Sequence, residues 1–343
     1  MQNLTELTKN DLEAFVVEDL KLPRFRSEQI WQWLWQKRVR DIEGMTNLSK
    51  PLREKLASMA TITWPEIVTV QKSKDGTLKF LLRLGDGKLI ETVLIPMRGR
   101  YSQCLSTQVG CAMACTFCNT GKLGFERNLT YGEITGQILV ARQYLADHNM
   151  DELKNLVFMG MGEPLLNLDN LLKVLHDLPE EKGLALSWRR SVVSTVGFPD
   201  KLKILGDLEV ALPAISLHAP TQELRAKIMP KAAKVHINDL MAAIKAYPMR
   251  NRERITFEYL LLKDVNDSLE QADQLAKLVN HRTGKINLIA YNEVEGMPYG
   301  APDRGKVEAF EKRLWDHGLT ATLRRSMGAD IKAACGQLKA DNS

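Results

Sequence analysis

A chain of 343 residues with 44% hydrophobic and 26% charged side chains can bury a full-sized core, and its mixture excludes collagen-like, coiled-coil and wholly disordered proteins. No apolar run reaches the roughly 18 to 20 residues of a membrane span, and Met1–Lys9 is too polar for a secretory signal, so a cytoplasmic protein without membrane association is expected. The net charge of +5 is small but unevenly placed: residues 21–100 carry sixteen basic and eight acidic side chains, a bias that suits nucleic-acid contact and equally a solvated surface.

Thr8–Asp11 reads as a helix N-cap and Ser27–Arg38 (SEQIWQWLWQKR) as an aromatic amphipathic helix, so residues 1–62 are predicted to form a small helical domain. Lys21, Arg24, Arg26, Lys37, Arg38 and Arg40, interleaved with Phe25, Trp31, Trp33 and Trp35, offer positive charge and stacking rings to RNA. The four-residue spacing of Trp31 and Trp35 favours a core role over a stacking platform. Ile67–Val70, Thr77–Leu84 and Leu89–Ile95 are β-like runs separated by the turns Lys74-Asp75-Gly76 and Gly85-Asp86-Gly87, which predicts a short antiparallel β unit over residues 63–100.

From Ser102 the pattern alternates. Strands are predicted near 103–108, 155–159, 191–195, 210–217, 255–261, 285–290 and 320–324. Helices such as Tyr131–Ala146, Asp169–Leu178, Gln222–Ile228 and Leu269–Val279 fall between them. Units of roughly 30 to 45 residues are what parallel α/β architecture requires. Residues 101–343 are therefore expected to form a partial (β/α)6-type barrel with its chemistry at the C-terminal strand ends. Asp341–Ser343 is expected to fray. Arg324 and Arg325, at the end of the last strand, could reach phosphates or face water.

Five cysteines without a secretion signal do not form a disulfide framework. Cys104, Cys111, Cys115 and Cys118 fall within fifteen residues, and Cys335 stands alone near the C-terminus. Cys111, Cys115 and Cys118 have the spacing C-x3-C-x2-C directly after the first predicted barrel strand. Three thiolates can hold three irons of a four-iron, four-sulfur (4Fe-4S) cluster and leave the fourth iron open, whereas structural zinc takes four closed ligands. A zinc knob using Cys104 as fourth ligand is the rival. One βα unit later, an apolar strand ends in Gly160-Met161-Gly162-Glu163-Pro164, whose glycines permit close backbone approach and whose carboxylate can meet a cation.

The cysteine loop and this turn resemble the radical S-adenosylmethionine (SAM) superfamily. That resemblance implies cluster ligation by Cys111, Cys115 and Cys118, Phe117 near the SAM adenine, and Gly162 with Glu163 at the methionyl ammonium. Ser194, the run Ser216-Leu217-His218 and Asn292 match the superfamily's contacts to the ribose and methionyl portions. Longer stretches are similar to the RlmN/Cfr family of RNA methyltransferases: Ser106-Thr107-Gln108-Val109-Gly110-Cys111, Thr120–Phe125 with Arg127–Thr130, Met159–Asn167, Ile215–Pro220 and Ala333–Leu338.

Membership would imply methylation at carbon 2 of an adenosine in 23S rRNA, in the peptidyl-transferase region, and of the adenosine 3′ to the anticodon in tRNA. An electron-poor ring carbon cannot attack a SAM methyl group directly, so a radical route is needed. The family scheme consumes two SAM per turnover. One methylates Cys335; the second, cleaved reductively, yields a radical that removes hydrogen from that methyl group. The carbon adds to the ring, and Cys104 resolves the protein–RNA adduct by attacking the Cys335 sulfur, leaving a disulfide. Glu91, a carboxylate in an apolar strand, is the family's proton acceptor, although Cys104 could take the proton itself. Further expectations are a monomer and an external electron donor such as flavodoxin or ferredoxin. Two alternatives remain open: a Cfr-like C8 methyltransferase, and a zinc-binding ribosome-assembly protein without enzymatic activity.

Overall fold

A computed structural model describes residues 1–249, 253–279, 282 and 284–340; the fray expected at Asp341–Ser343 lies outside the described residues. Ten strands form one sheet. Strands Arg100–Cys104, Leu153–Phe158, Ser191–Thr195, Leu212–Ser216, Ile255–Leu261, Gly284–Ala290 and Ala321–Arg324 lie side by side in that order, all parallel. Their interiors are apolar runs such as LPAIS and ITFEYLL because helices or barrel contents cover both faces. Helices Tyr131–Asp147, Leu168–Asp177, Pro199–Leu208, Ile237–Ala246, Leu269–Leu278 and Arg304–Asp316 make the crossovers. The result is the predicted mixed α/β, partial-barrel architecture.

The first barrel strand is shifted from the predicted 103–108. It ends at Cys104. Gln108–Gly110 instead pairs antiparallel with Phe125–Asn128 in a separate two-stranded ribbon that frames the cysteine loop. Strands Glu66–Lys72, Leu78–Arg83 and Leu89–Met97 are antiparallel as expected. Through Leu89–Met97 against Arg100–Cys104 they continue the barrel sheet.

The helical start begins where Thr8 Oγ1 accepts the Asp11 N–H, an N-cap that the sequence announced. Helices Phe25–Trp35 and Lys50–Met59 follow. Trp31 and Trp35 are 2% and 0% exposed, with ring centroids 5.1 Å apart, and Trp35 meets Tyr131 of the first crossover helix edge-on at 6.1 Å. Both are core residues of the same apolar cluster that runs into the barrel, which removes them as stacking platforms. Among the described residues no helix is long and apolar enough to cross a membrane.

Candidate active site

The cysteine loop begins with a close approach that only glycine allows. Gly110 has φ +73°, and a Cβ there would stand 2.0 Å from the Gly124 carbonyl oxygen. The Cys111 N–H donates to that same oxygen at 2.7 Å, and the Cys118 N–H to the Cys115 carbonyl at 3.1 Å, which curls the three thiols around one cavity. Burial pushes the Cys111 thiol up to about 12, raises Cys115 well above its ordinary value and raises Cys118 as well. Three desolvated thiols around a shared space fit a positively charged iron–sulfur group that would take them as thiolates. Among the described residues no three His, Cys, Asp or Glu side chains are grouped as ligands of a single metal ion.

The same cavity is lined by Phe117, Gly162, Glu163, Ser194, Ser216 and His218, each from the C-terminal end of a barrel strand or the loop after it. Gly162 has φ +102°, and a Cβ there would lie 2.6 Å from Gln108 Cβ. Glu163 is buried. Its Oε1 accepts from Leu165 N–H at 3.0 Å and Thr195 Oγ1 at 2.6 Å, and its Oε2 from Val196 N–H at 2.9 Å. A carboxylate has about four acceptor sites, so one remains for a cation in the cavity.

His218 stands at φ +56° with its ring edge-on to Phe117 at 5.2 Å. Its Nδ1 accepts the Leu260 N–H at 3.0 Å, which leaves the proton on Nε2. Burial, reinforced by Arg225, lowers its pKa to about 3, so the ring is a neutral donor. Leu217, by contrast, has its side chain in the core, and its N–H is donated to the Glu258 carbonyl at 3.1 Å.

Cys104 and Cys335, 231 positions apart in the sequence, line one second cavity together with Asn292 and Arg324. Asn292 therefore sits on the thiol side, away from the two serines. Cys118, Met159, Gly160, Cys335 and Gly336 line both cavities, so Cys335 stands in the wall between them. Cys104 is pushed up to about 12 by burial and next by Cys335, while Arg324 and the Met159 N–H act in the opposite direction.

Glu91 does not open onto either of these cavities. Its Oε1 pairs with Lys79 Nζ at 2.9 Å, and its Oε2 accepts the backbone N–H groups of Lys339 and Ala340 at 2.7 and 3.1 Å. The carboxylate thus holds the chain just beyond Cys335. Arg325 is exposed and Arg324 half-buried, and both line the cavity of Cys104 and Cys335.

Sequence reasoning missed Glu258, which is buried on the cavity of Cys111, Cys115 and Cys118 with Oε2 2.7 Å from Ser194 Oγ and Oε1 without a partner among the described residues. A lone carboxylate in the run ITFEYLL was its signal, the same one that singled out Glu91.

The chain is similar to known proteins over nearly its whole length. Residues 2–62 match the ribosomal RNA large subunit methyltransferase N-terminal domain, and residues 105–277 match the radical SAM superfamily. The dual-specificity RNA methyltransferases RlmN of Nitratidesulfovibrio vulgaris (strain DP4) and Oleidesulfovibrio alaskensis are 57% and 59% identical to this chain. They cover 99% of it, and the match spans 95% and 96% of their own lengths. A crystal structure of a radical SAM methyltransferase from Sphaerobacter thermophilus superimposes with a TM-score of 0.94 at 38% identity, covering 99% of this chain and 100% of the other. The chain belongs to the RlmN family of dual-specificity RNA methyltransferases, within the radical SAM superfamily.

Proposed function

We infer that the protein methylates carbon 2 of adenosine in 23S rRNA and in tRNA, with Cys335 as the methyl carrier and Cys104 as the resolving thiol. A 4Fe-4S cluster and SAM are the family's cofactors, and when bound they supply methyl transfer and hydrogen-atom abstraction. The observation that carries the reading is the place of Cys335. A carrier must meet the methyl donor, the RNA base and the resolving thiol in turn, and Cys335 borders both the cavity of the cluster thiols and the cavity of Cys104.

The chain's own residues then divide the work. Cys111, Cys115 and Cys118 hold the cluster. Glu163, with Gly162 allowing the backbone close, receives the methionyl ammonium; Ser194, Ser216 and the Leu217 backbone face the ribose; the neutral His218 donates through Nε2. Phe117, braced edge-on by His218, forms an apolar wall for the adenine. Asn292 orders the methionyl end nearest Cys335. The ring proton falls to Cys104 rather than Glu91, which opens onto neither cavity and has both oxygens engaged.

Residues 1–62 form the RNA-contacting helical domain, 63–100 the β unit and 101–343 the catalytic barrel. The protein acts as a cytoplasmic monomer and takes electrons from an external donor of the flavodoxin or ferredoxin kind.

Nucleoside digests of rRNA and tRNA treated with the reconstituted enzyme test the assignment. 2-Methyladenosine is expected. 8-Methyladenosine would move the chain to the Cfr-like reaction. A colourless protein holding one zinc and no iron would remove the mechanism altogether.

A further inference from the structure

Arg324 closes strand Ala321–Arg324 beside Ile289 and lines the cavity of Cys104 and Cys335. Its Nη1 approaches Met159 Sδ at 3.7 Å, and the Met159 backbone N–H is donated to the Cys104 sulfur. The negative groups that face the guanidinium are Cys335 first, then Glu258 and Cys104, and they hold its pKa above the ordinary arginine value despite burial. Glu258 has already committed one oxygen to Ser194. A cation removed from water needs a negative partner, and the groups here that can gain charge during turnover are the two sulfurs.

Cys104 has the complementary difficulty. The groups facing it are Cys335, Arg324 and Glu258, and burial, with the first and last of these, opposes ionisation. A protonated thiol is a poor nucleophile. We propose that Arg324 is a positioning residue for the resolution step, its guanidinium stabilising the Cys104 thiolate as that sulfur attacks Cys335. This rests on the reading of Cys335 as carrier and Cys104 as resolving thiol.

In that step the Cys104–Cys335 S–S bond forms and the bond from Cys335 sulfur to the ring methylene breaks, its electron pair passing to the carbon. The carbon takes up one proton, matching the one Cys104 has released, and becomes the methyl group. The two sulfurs lose two electrons and the carbon gains two.

The test uses the full chain with its cluster reconstituted, an unmodified 23S rRNA transcript, SAM and dithionite, with the protein–RNA adduct followed on denaturing gels between about pH 6.5 and 9. Cys104→Ala should accumulate adduct. Arg324→Gln should form adduct and resolve it roughly tenfold more slowly throughout this range, the effect of one pKa unit on a thiol that titrates above it, with both proteins resolving faster as pH rises. Arg324→Lys, which keeps the charge, should recover most of the rate.

Three results would overturn the proposal: wild-type resolution by Arg324→Gln at every pH, no adduct from Arg324→Gln while Cys104→Ala makes it, or adduct left unresolved by Arg324→Lys. The lysine variant decides the matter even if the glutamine variant does not fold. Absence of adduct from Cys104→Ala would instead remove the underlying reading of the two cysteines, and the proposal with it.

Discussion

Lys339 donates its backbone N–H to Glu91 Oε2 at 2.7 Å, joining the C-terminal segment to a strand 248 positions earlier. It is one of several ties along that segment. Asp75 Oδ2 accepts the Gly328 N–H at 2.8 Å, and Asp330 Oδ1 accepts from Ser73 Oγ at 2.5 Å. The Asn119 N–H donates to the Gly336 carbonyl at 2.7 Å, and Thr120 Oγ1 to the Leu338 carbonyl at 2.7 Å. Cys335 is therefore carried on a strap fixed to the antiparallel strands on one side and to the residues just after Cys118 on the other.

Glu91→Gln should loosen the end of that strap. It removes the charged partner of the half-buried Lys79 and weakens two bonds to a charged acceptor, each worth roughly 1.5–3 kcal/mol. Backbone hydrogen exchange over residues 336–340 should rise about tenfold or more. Unchanged exchange together with lost methylation would assign Glu91 to the ring proton instead.

Iron content should separate the five cysteines. Alanine at Cys111, Cys115 or Cys118 is expected to abolish a stable cluster, whereas Cys104→Ala and Cys335→Ala should bind iron like the wild type. Iron loss in Cys104→Ala would place that residue among the ligands. The measurement is iron and sulfide per chain after anaerobic reconstitution.

His218 should leave a mark on acid stability. Its folded pKa of about 3 lies below the ordinary 6.5, so the unfolded chain binds the proton first as pH falls. The contribution is complete above about pH 6.5 and is lost progressively towards pH 3, at up to about 1.4 kcal/mol per pH unit. Urea unfolding between pH 6 and 4 should show a shallower pH dependence in His218→Gln than in the wild type. Equal slopes would contradict the neutral, buried imidazole.

Gly162→Ala forces a Cβ at φ +102° against Gln108 and should cost roughly 1–3 kcal/mol of backbone strain and displacement. Thermal melting of the protein should fall by several degrees, and equilibrium binding of SAM to the reconstituted protein should weaken. A variant with wild-type melting and SAM affinity would show that the turn has room the geometry denies.

Most of the parallel strands were legible because they are apolar runs bounded by helical periodicity, such as LPAIS and ITFEYLL, whereas RYSQC at Arg100–Cys104 is polar and was misplaced; the cluster cysteines were legible because their spacing is local. What sequence could not supply was pairing across distance. Strand Arg100–Cys104 is the last antiparallel partner of Leu89–Met97 and the first parallel partner of Leu153–Phe158, a double role that no local pattern encodes. Glu91 was noticed for its apolar surroundings, but the amides it holds come from the other end of the chain. Arg324 read only as a cation that could reach phosphates or face water; the strand's place at the barrel edge brings it to the cavity of the two thiols.

The central claim is that Cys335 carries the methyl group. Anaerobic reconstitution with iron and sulfide, exposure to SAM alone, and intact mass with peptide mapping around Cys335 test it directly. The account predicts one added methyl group, located on Cys335, which leaves only the position on the adenine ring to the nucleoside assay. An unmodified Cys335 in a protein with an intact cluster would contradict the carrier mechanism and leave a radical SAM enzyme of another kind.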